Sequence, residues 1–279
     1  MGLRKITGVA RRYPLGAAGA VVAVLLVFLA VTAPAVSPYD PYELRLGELM
    51  TPPGQEFLLG TDNLGRDMLS RIIWGARISL GVAVLAVVLG QGMGTVIGIV
   101  SGYLGGKTDL FAQRIVDILM AFPTLVLALV FVAVLGPSVS NVILAIAFVQ
   151  MPLGARVMRS AALSVKGMQF VDAARAIGCS NVRILLVHIW PQCVAPLLVT
   201  VTGVMAQAVV VEASLSFLGL GTPEPIPSWG RMLSNQGRQY FIMAPWLAVF
   251  PGVAISLTVF GFNLLGDALR DALDPRLRQ

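Results

Sequence analysis

Residues 169–192 read QFVDAARAIGCSNVRILLVHIWPQ and lie between two long apolar segments. Phe170, Ala173, Ala174 and Ile177 fall at helical spacing on one face, which predicts a short helix. Gly178 follows as its left-handed stop. Asp172 favours the positive end of that helix, and Ser180 or Asn181 starts the next one. The run VRILLVHIW is expected to follow a membrane boundary until Pro191 breaks it into the next span. Alanine has little bulk, so the first helix can seat deeply in a groove of another protein, anchored by Phe170 or Ile177. The stretch is also basic, and an amphipathic helix lying on anionic lipid is the alternative.

The rest of the 279-residue chain explains why a membrane enters the argument. Hydrophobic residues make up 57% and charged residues only 12%, with a mean hydropathy of +0.83. A soluble domain needs more charge to cover its surface. A span needs about 20 mostly apolar residues, and six candidates occur: Leu15–Val36, Ile78–Val100, Ile118–Leu135, Val139–Leu153, Val194–Val211 and Trp246–Leu265. None contains Asp, Glu, Lys or Arg. The fourth is short and is expected to continue past Gly154. The expected fold is therefore all-α, with six transmembrane helices, because lipid offers no partners to an open backbone. The segment 1–36 contains an Ala33–Ala35 sequence like a signal-peptidase site. Its apolar core exceeds the 7–15 residues typical of signal peptides, so an uncleaved anchor is expected.

Arg and Lys in short flanking segments set the orientation. The N-terminus carries Arg4, Lys5, Arg11 and Arg12; the stretch 154–193 carries Arg156, Arg159, Lys166, Arg175 and Arg183 against Asp172. With both inside, inner segments sum to +8 and outer loops to −2, which returns the net +6. The expected plan is a cytoplasmic N-terminus (1–14), a first anchor (15–36), an outer loop (37–77), a five-helix core (78–265) and a cytoplasmic C-terminus (266–279). The core holds an inner loop at 154–193 and a second outer loop at 212–245. Trp74 and Trp246 then sit at outer ends of spans and Trp190 at an inner end, as interface aromatics do. The basic charge is laid out along a membrane, so no nucleic-acid partner is expected.

Sites that carry chemistry are scarce. SGYLGGKT (101–108) nearly matches a phosphate loop, but Ser101 replaces its first glycine and an apolar helix, not a strand, precedes it. His188 is the only histidine and Cys179 and Cys193 the only cysteines, too few for a metal centre, so none is expected. No catalytic residues are expected either. The spans lack the carboxylates and lysines of a proton relay, so energy for any transport comes from elsewhere. Gln91, Gln150 and Gln207 are the notable polar side chains within spans. Each reads equally as a lining for a polar solute path or as glue between helices. Gly90, Gly94, Gly98 and Gly102 form a four-spaced stripe in the second span, which lets another helix approach closely; that helix belongs to this chain or to another subunit.

The opening stretch also carries a resemblance. DAARAIG, followed thirteen residues after Gly178 by Pro191, resembles the E-A-A-x3-G motif of ABC-importer permease subunits. Asp172, Ala173, Ala174 and Gly178 fall at its defining positions, with Asp172 in place of the usual Glu. Leu59–Leu80, Arg114–Leu125 and Glu212–Leu233 resemble further signatures of the dipeptide/oligopeptide/nickel branch. The resemblance implies a type I importer permease in the cell (inner) membrane, one half of a translocation path for di- or oligopeptides. Its alternatives are the same machinery with nickel, glutathione or another small solute, or a passive channel. It also implies that Phe170, Asp172, Ala173, Ala174, Arg175, Ile177 and Gly178 form the coupling helix that docks on an ATPase subunit. The implied partners are a sister permease in a heterodimer, two ABC ATPases and an extracytoplasmic solute-binding protein. On this resemblance the chain is expected to bind no cofactor and to be no enzyme itself, with ATP and Mg held by the ATPases. Within the outer signatures, Thr61 or Asp62 can cap a helix beginning near Leu64, and Trp229 is expected to anchor at the membrane interface.

Overall fold

The computed structural model describes residues 14–234 and 239–273. The basic N-terminal residues Arg4, Lys5, Arg11 and Arg12 and the end of the expected C-terminal segment lie outside the described residues. The described elements are helices: α1 Pro14–Val36, α2 Met68–Leu104, α3 Gly106–Met120, α4 Thr124–Leu135, α5 Val139–Lys166, α6 Gln169–Ala176, α7 Asn181–Phe217, α8 Trp229–Met232 and α9 Trp246–Leu273. One isolated antiparallel bridge joins Thr61 to Asp67. Among the described residues five helices, α1, α2, α5, α7 and α9, are long and apolar enough to cross a membrane. At 37 residues, α2 and α7 would each reach about 55 Å, well beyond a hydrocarbon core of about 30 Å.

The expected third span differs. It is not one helix over Ile118–Leu135 but a bent pair, α3 and α4, meeting at 91°. The cause is local. Pro123 has no N–H to donate and sits in extended backbone (ψ 127°) ahead of α4, so the helix before it stops. The 12 residues of α4 cover only about 18 Å, and a sixth crossing exists only if the bent pair acts as one.

The expected inner loop, 154–193, is largely helical. The fourth span continues through Arg156 and Arg159 to Lys166, so both arginines project from α5 rather than from a loop. The fifth does not begin at a break at Pro191. One helix runs from Asn181 to Phe217, and Trp190 N–H reaches back five residues to Leu185 O. That widened turn over Ile184–Ile189 accommodates the proline ring and its missing donor.

The glycine stripe accounts for the most extensive helix pair, α2 against α5 in the same chain. A Cβ added at Gly90 would lie 2.5 Å from Ala147 O, and one at Gly94 2.5 Å from Met151 O. At Gly98 the obstacle is Ala155 O, and at Gly102 it is Arg159 O. Only hydrogen at these positions lets the two backbones meet, and close backbone approach is what holds helices together in lipid. A second small-residue pair joins α1 to α9, with Gly16 against Ala268 and Gly19 against Leu264. Between these pairs, Ala83, Ala86 and Val87 of α2 share a core with Val132 of α4, Ala145 and Ile146 of α5 and Val209 of α7. Large apolar side chains such as Phe28, Val31, Val88 and Val134 point outward, as they do when the surroundings are lipid.

Candidate functional site

Three regions hold the side chains of interest: the end carrying α6, a groove at mid-height, and the loops at the opposite end. At the first, α6 is bracketed by two turns. Gly178 sits at φ 82°; its N–H donates to Arg175 O at 2.9 Å while Cys179 N–H donates to Ala174 O at 3.0 Å. This is the paired stop that a left-handed glycine permits. Ser180 then caps α7, accepting from Arg183 N–H.

The helix is split by its two faces. Val171 and Ala174 are buried in a cluster with Ile99, Tyr103, Ile184 and Ile189. Phe170, Asp172, Ala173, Arg175 and Ile177 are exposed, Ile177 to 81%. The expectation that Ala174 offers itself to a partner groove is therefore corrected. It lies against its own chain, because α6 needs an apolar side to rest on α2 and α7. Arg175 pairs with Asp172 at 3.0 Å, and its guanidinium carbon lies 5.5 Å from the Tyr103 ring centre. Tyr103 OH in turn donates to Asn181 Oδ1 at 2.8 Å. The His188 ring lies 6.2 Å from that of Phe170. Just beside this end, Arg159 on α5 holds Asp109 on α3 by two bonds of 2.6 Å, and Arg156 holds Asp117 at 2.6 Å.

The three glutamines separate by role. Gln91 is buried and donates through Nε2 to Gln150 O at 3.0 Å, so it is glue between α2 and α5. Gln207 is exposed on a groove of about 470 Å³ lined also by Thr124, Gly203 and Asn263. A smaller recess of about 140 Å³ adjoins it, sharing Thr124 and Gln207 and adding Gln150 and Phe122. Gln150 and Gln207 thus share the recess, whereas Gln91 touches Gln150 at its backbone carbonyl and lines neither hollow.

At the opposite end, Asp62 is the hub of the first loop. It accepts from the N–H groups of Leu64 (2.8 Å) and Arg66 (2.9 Å) and from Arg66 Nε at 2.7 Å. Arg71 Nε stands 3.6 Å away. Asp62 is therefore occupied, and the helix begins later, at Met68, where Asp67 accepts from Ser70 N–H at 2.8 Å. This replaces the expected cap at Thr61 or Asp62. Thr61 instead receives Trp246 Nε1–H on its carbonyl at 3.1 Å, which ties the loop to α9. Trp229 is not at an interface. It is 1% exposed, and Nε1 donates to Ile72 O at 3.0 Å.

Glu212, expected at the start of a loop, lies on α7, fully buried, accepting from Ser216 Oγ at 2.8 Å. Ser79 and Ser228 neighbour the same carboxyl. Their backbone roles complete the picture: Ser79 Oγ accepts from Trp229 N–H and Ser216 Oγ from Thr222 N–H. The carboxyl organises hydroxyls that in turn hold the second loop. The signal is an acid directly after an apolar run, VVVE, with Ser214 and Ser216 following it.

SGYLGGKT spans the joint between α2 and α3, with no strand before it. Both cysteines are free thiols, Cys193 buried and Cys179 partly so. Among the described residues no group of three His, Cys, Asp or Glu could hold a metal ion.

Residues 94–279 match the family described as binding-protein-dependent transport system inner membrane component. The glutathione transport system permease protein of Escherichia coli is 44% identical over 269 residues, 96% of this chain and 88% of its own length. The dipeptide transport system permease protein of Alkalihalophilus pseudofirmus is 41% identical over 268 residues, again 96% and 88%. The di/tripeptide transport system permease protein of Pseudomonas aeruginosa is 43% identical over 260 residues, 91% and 86%. Among solved structures, a chain of the MetNI methionine ABC transporter in an inward-facing conformation superposes with a TM-score of 0.60. It is 18% identical and covers 74% of this chain and 98% of its own, so it speaks to the fold alone.

Proposed function

The chain belongs to the binding-protein-dependent transport system inner membrane components, and from this membership we propose that it forms half of the path by which an ATP-driven importer takes up short peptides. The observation that carries the cargo class is the identity of 41–44% over at least nine tenths of the chain to permeases named for dipeptides, di/tripeptides and glutathione. Glutathione is itself a tripeptide, so the three names share one chemistry.

The exposed face of α6, with Phe170, Asp172, Ala173, Arg175 and Ile177, docks on an ATPase subunit. Gly178 fixes the angle at which it is held, and Ala174 seats the helix on its own chain. A sister permease completes the path as a heterodimer, two ATPases bind ATP and Mg, and a solute-binding protein delivers cargo to the opposite end. Both termini and α6 lie in the cytoplasm, as the arginine and lysine distribution implies. ATP binding draws the ATPases together and carries α6 with them. The helices then open outward, and hydrolysis resets them.

The test is uptake of a labelled dipeptide into proteoliposomes holding the chain with its sister permease and ATPases, supplied with the binding protein. Uptake that needs both ATP and the binding protein is expected. Dipeptide flux through the chain alone, without ATP, would make it a channel instead.

A further inference from the structure

Resting on the peptide reading above, we infer that Thr124, Gln150, Gln207 and Asn263 form an uncharged hydrogen-bonding track that takes up the backbone of a passing peptide and ignores the charge of its side chains. Four helices bring these residues together: α4 supplies Thr124 as its first residue, α5 Gln150, α7 Gln207 and α9 Asn263. The bend at Pro123 is what turns the start of α4 toward the groove. Thr124, Gln207 and Asn263 are exposed on it. Gln150 lines the adjoining recess, is only 2% exposed, and its Nε2 has no hydrogen-bond partner in the chain. A buried amide donor without a partner has an unmet demand for an acceptor carbonyl.

The chemistry of the lining selects the ligand class. A carboxamide side chain offers donors and an acceptor, the same pair that every peptide unit offers in return. The lining of groove and recess contains no Asp, Glu, Lys or Arg. A fixed charge would hold peptides of opposite sign and repel those of like sign. A path that must bind weakly enough to release is better served by neutral groups. The remaining wall, with Phe122, Leu125 and Val259, is apolar and tolerates side chains of varied shape.

The experiment uses the complete transporter in proteoliposomes with its binding protein and three probes, Ala-Glu, Ala-Gln and Ala-Lys. Uptake by Gln207→Glu and by Asn263→Asp is divided by wild-type uptake for each probe, which cancels the preference of the unchanged binding protein. Each variant should lower Ala-Glu relative to Ala-Lys by about fivefold, as one added like charge does across a partly hydrated groove. Ala-Gln should fall between them, and added salt should shrink the difference. Equal changes in all three probes in both variants would overturn the track, assigning these residues to helix or subunit contacts. No change in any probe would overturn it as well. A wild-type transporter that takes up none of the three would overturn the peptide reading itself, and the track with it.

Discussion

Ala173 and Ala174 are neighbours in the chain that face opposite ways: Ala173 is exposed, while Ala174 is 4% exposed and lies against Val171 and Ile184. A charge at these two positions should therefore fail differently. Ala173→Glu should leave the protein folded and abolish co-purification of the ATPases. Ala174→Glu should cost about 3 kcal/mol or more by burying an unpaired charge, lowering the melting temperature in detergent. Loss of ATPases in both variants with unchanged melting would refute this division.

Gly94 and Gly92 give a matched pair on α2. A Cβ at Gly94 meets Met151 O at 2.5 Å, whereas one at Gly92 meets nothing within 4 Å. Gly94→Ala should destabilise by about 1–3 kcal/mol, because the backbones of α2 and α5 must part. Gly92→Ala should be neutral or stabilising by up to about 1 kcal/mol, from helix propensity. Thermal melts of the two purified variants decide it; equal melting temperatures would count against backbone contact along the stripe.

The two arginines of α5 should differ in worth. Arg159 grips Asp109 bidentately in a half-buried setting, with side chains 34% and 16% exposed. Arg156 and Asp117 are about half exposed. A double-mutant cycle should give a coupling of about 1–2 kcal/mol for the first pair and under about 0.5 kcal/mol for the second. The reverse ranking would show that α3 is not clamped where the geometry puts it.

Asp62→Asn should be among the most damaging single-atom changes in the chain. It would leave Arg66 and Arg71, each almost fully buried, without the carboxylate that stands 2.7 Å from the first and 3.6 Å from the second. Removing one member of a buried charge cluster costs about 3–5 kcal/mol. Limited proteolysis within residues 37–67 should accelerate sharply, while a control at the exposed Glu43 should cut as wild type does.

Trp229→Phe should cost about 1 kcal/mol for the lost bond to Ile72 O, and Trp229→Ala about 3–5 kcal/mol for the emptied site. Detergent melts report both. A Trp229→Ala protein as stable as wild type would mean that the second loop is not anchored there.

The membrane-crossing plan was legible because lipid imposes a length and a polarity that no other environment does. Charge-free runs marked α1, α2, α5, α7 and α9, and the glycine stripe announced a close helix contact. What escaped had local causes acting against the pattern. Pro123 broke an apolar run that hydropathy reads as continuous, whereas Pro191 failed to break one, since a widened turn absorbed it. Trp229 and Glu212 sit in a polar-looking stretch, yet loop and helix bury both. The stop at Gly178 was readable from a glycine after the helix. The orientation of Ala174 was not, because it lies at the margin of the apolar stripe and only its contacts decide the side. Of the glutamines, spacing alone could not separate Gln91, facing α5, from Gln207, facing the groove.

The continuity of α7 has a mechanical consequence. Near its first turn it supports α6, and 31 residues past Asn181 it carries Glu212, whose carboxyl organises the second loop. At 1.5 Å per residue these points are about 46 Å apart on a single rod. A rod transmits tilt without needing a relay of side chains between its ends. On the proposed mechanism, push and response are joined as in a lever, with the small-residue seam where Thr202 of α7 meets Gly266 of α9 as its fulcrum.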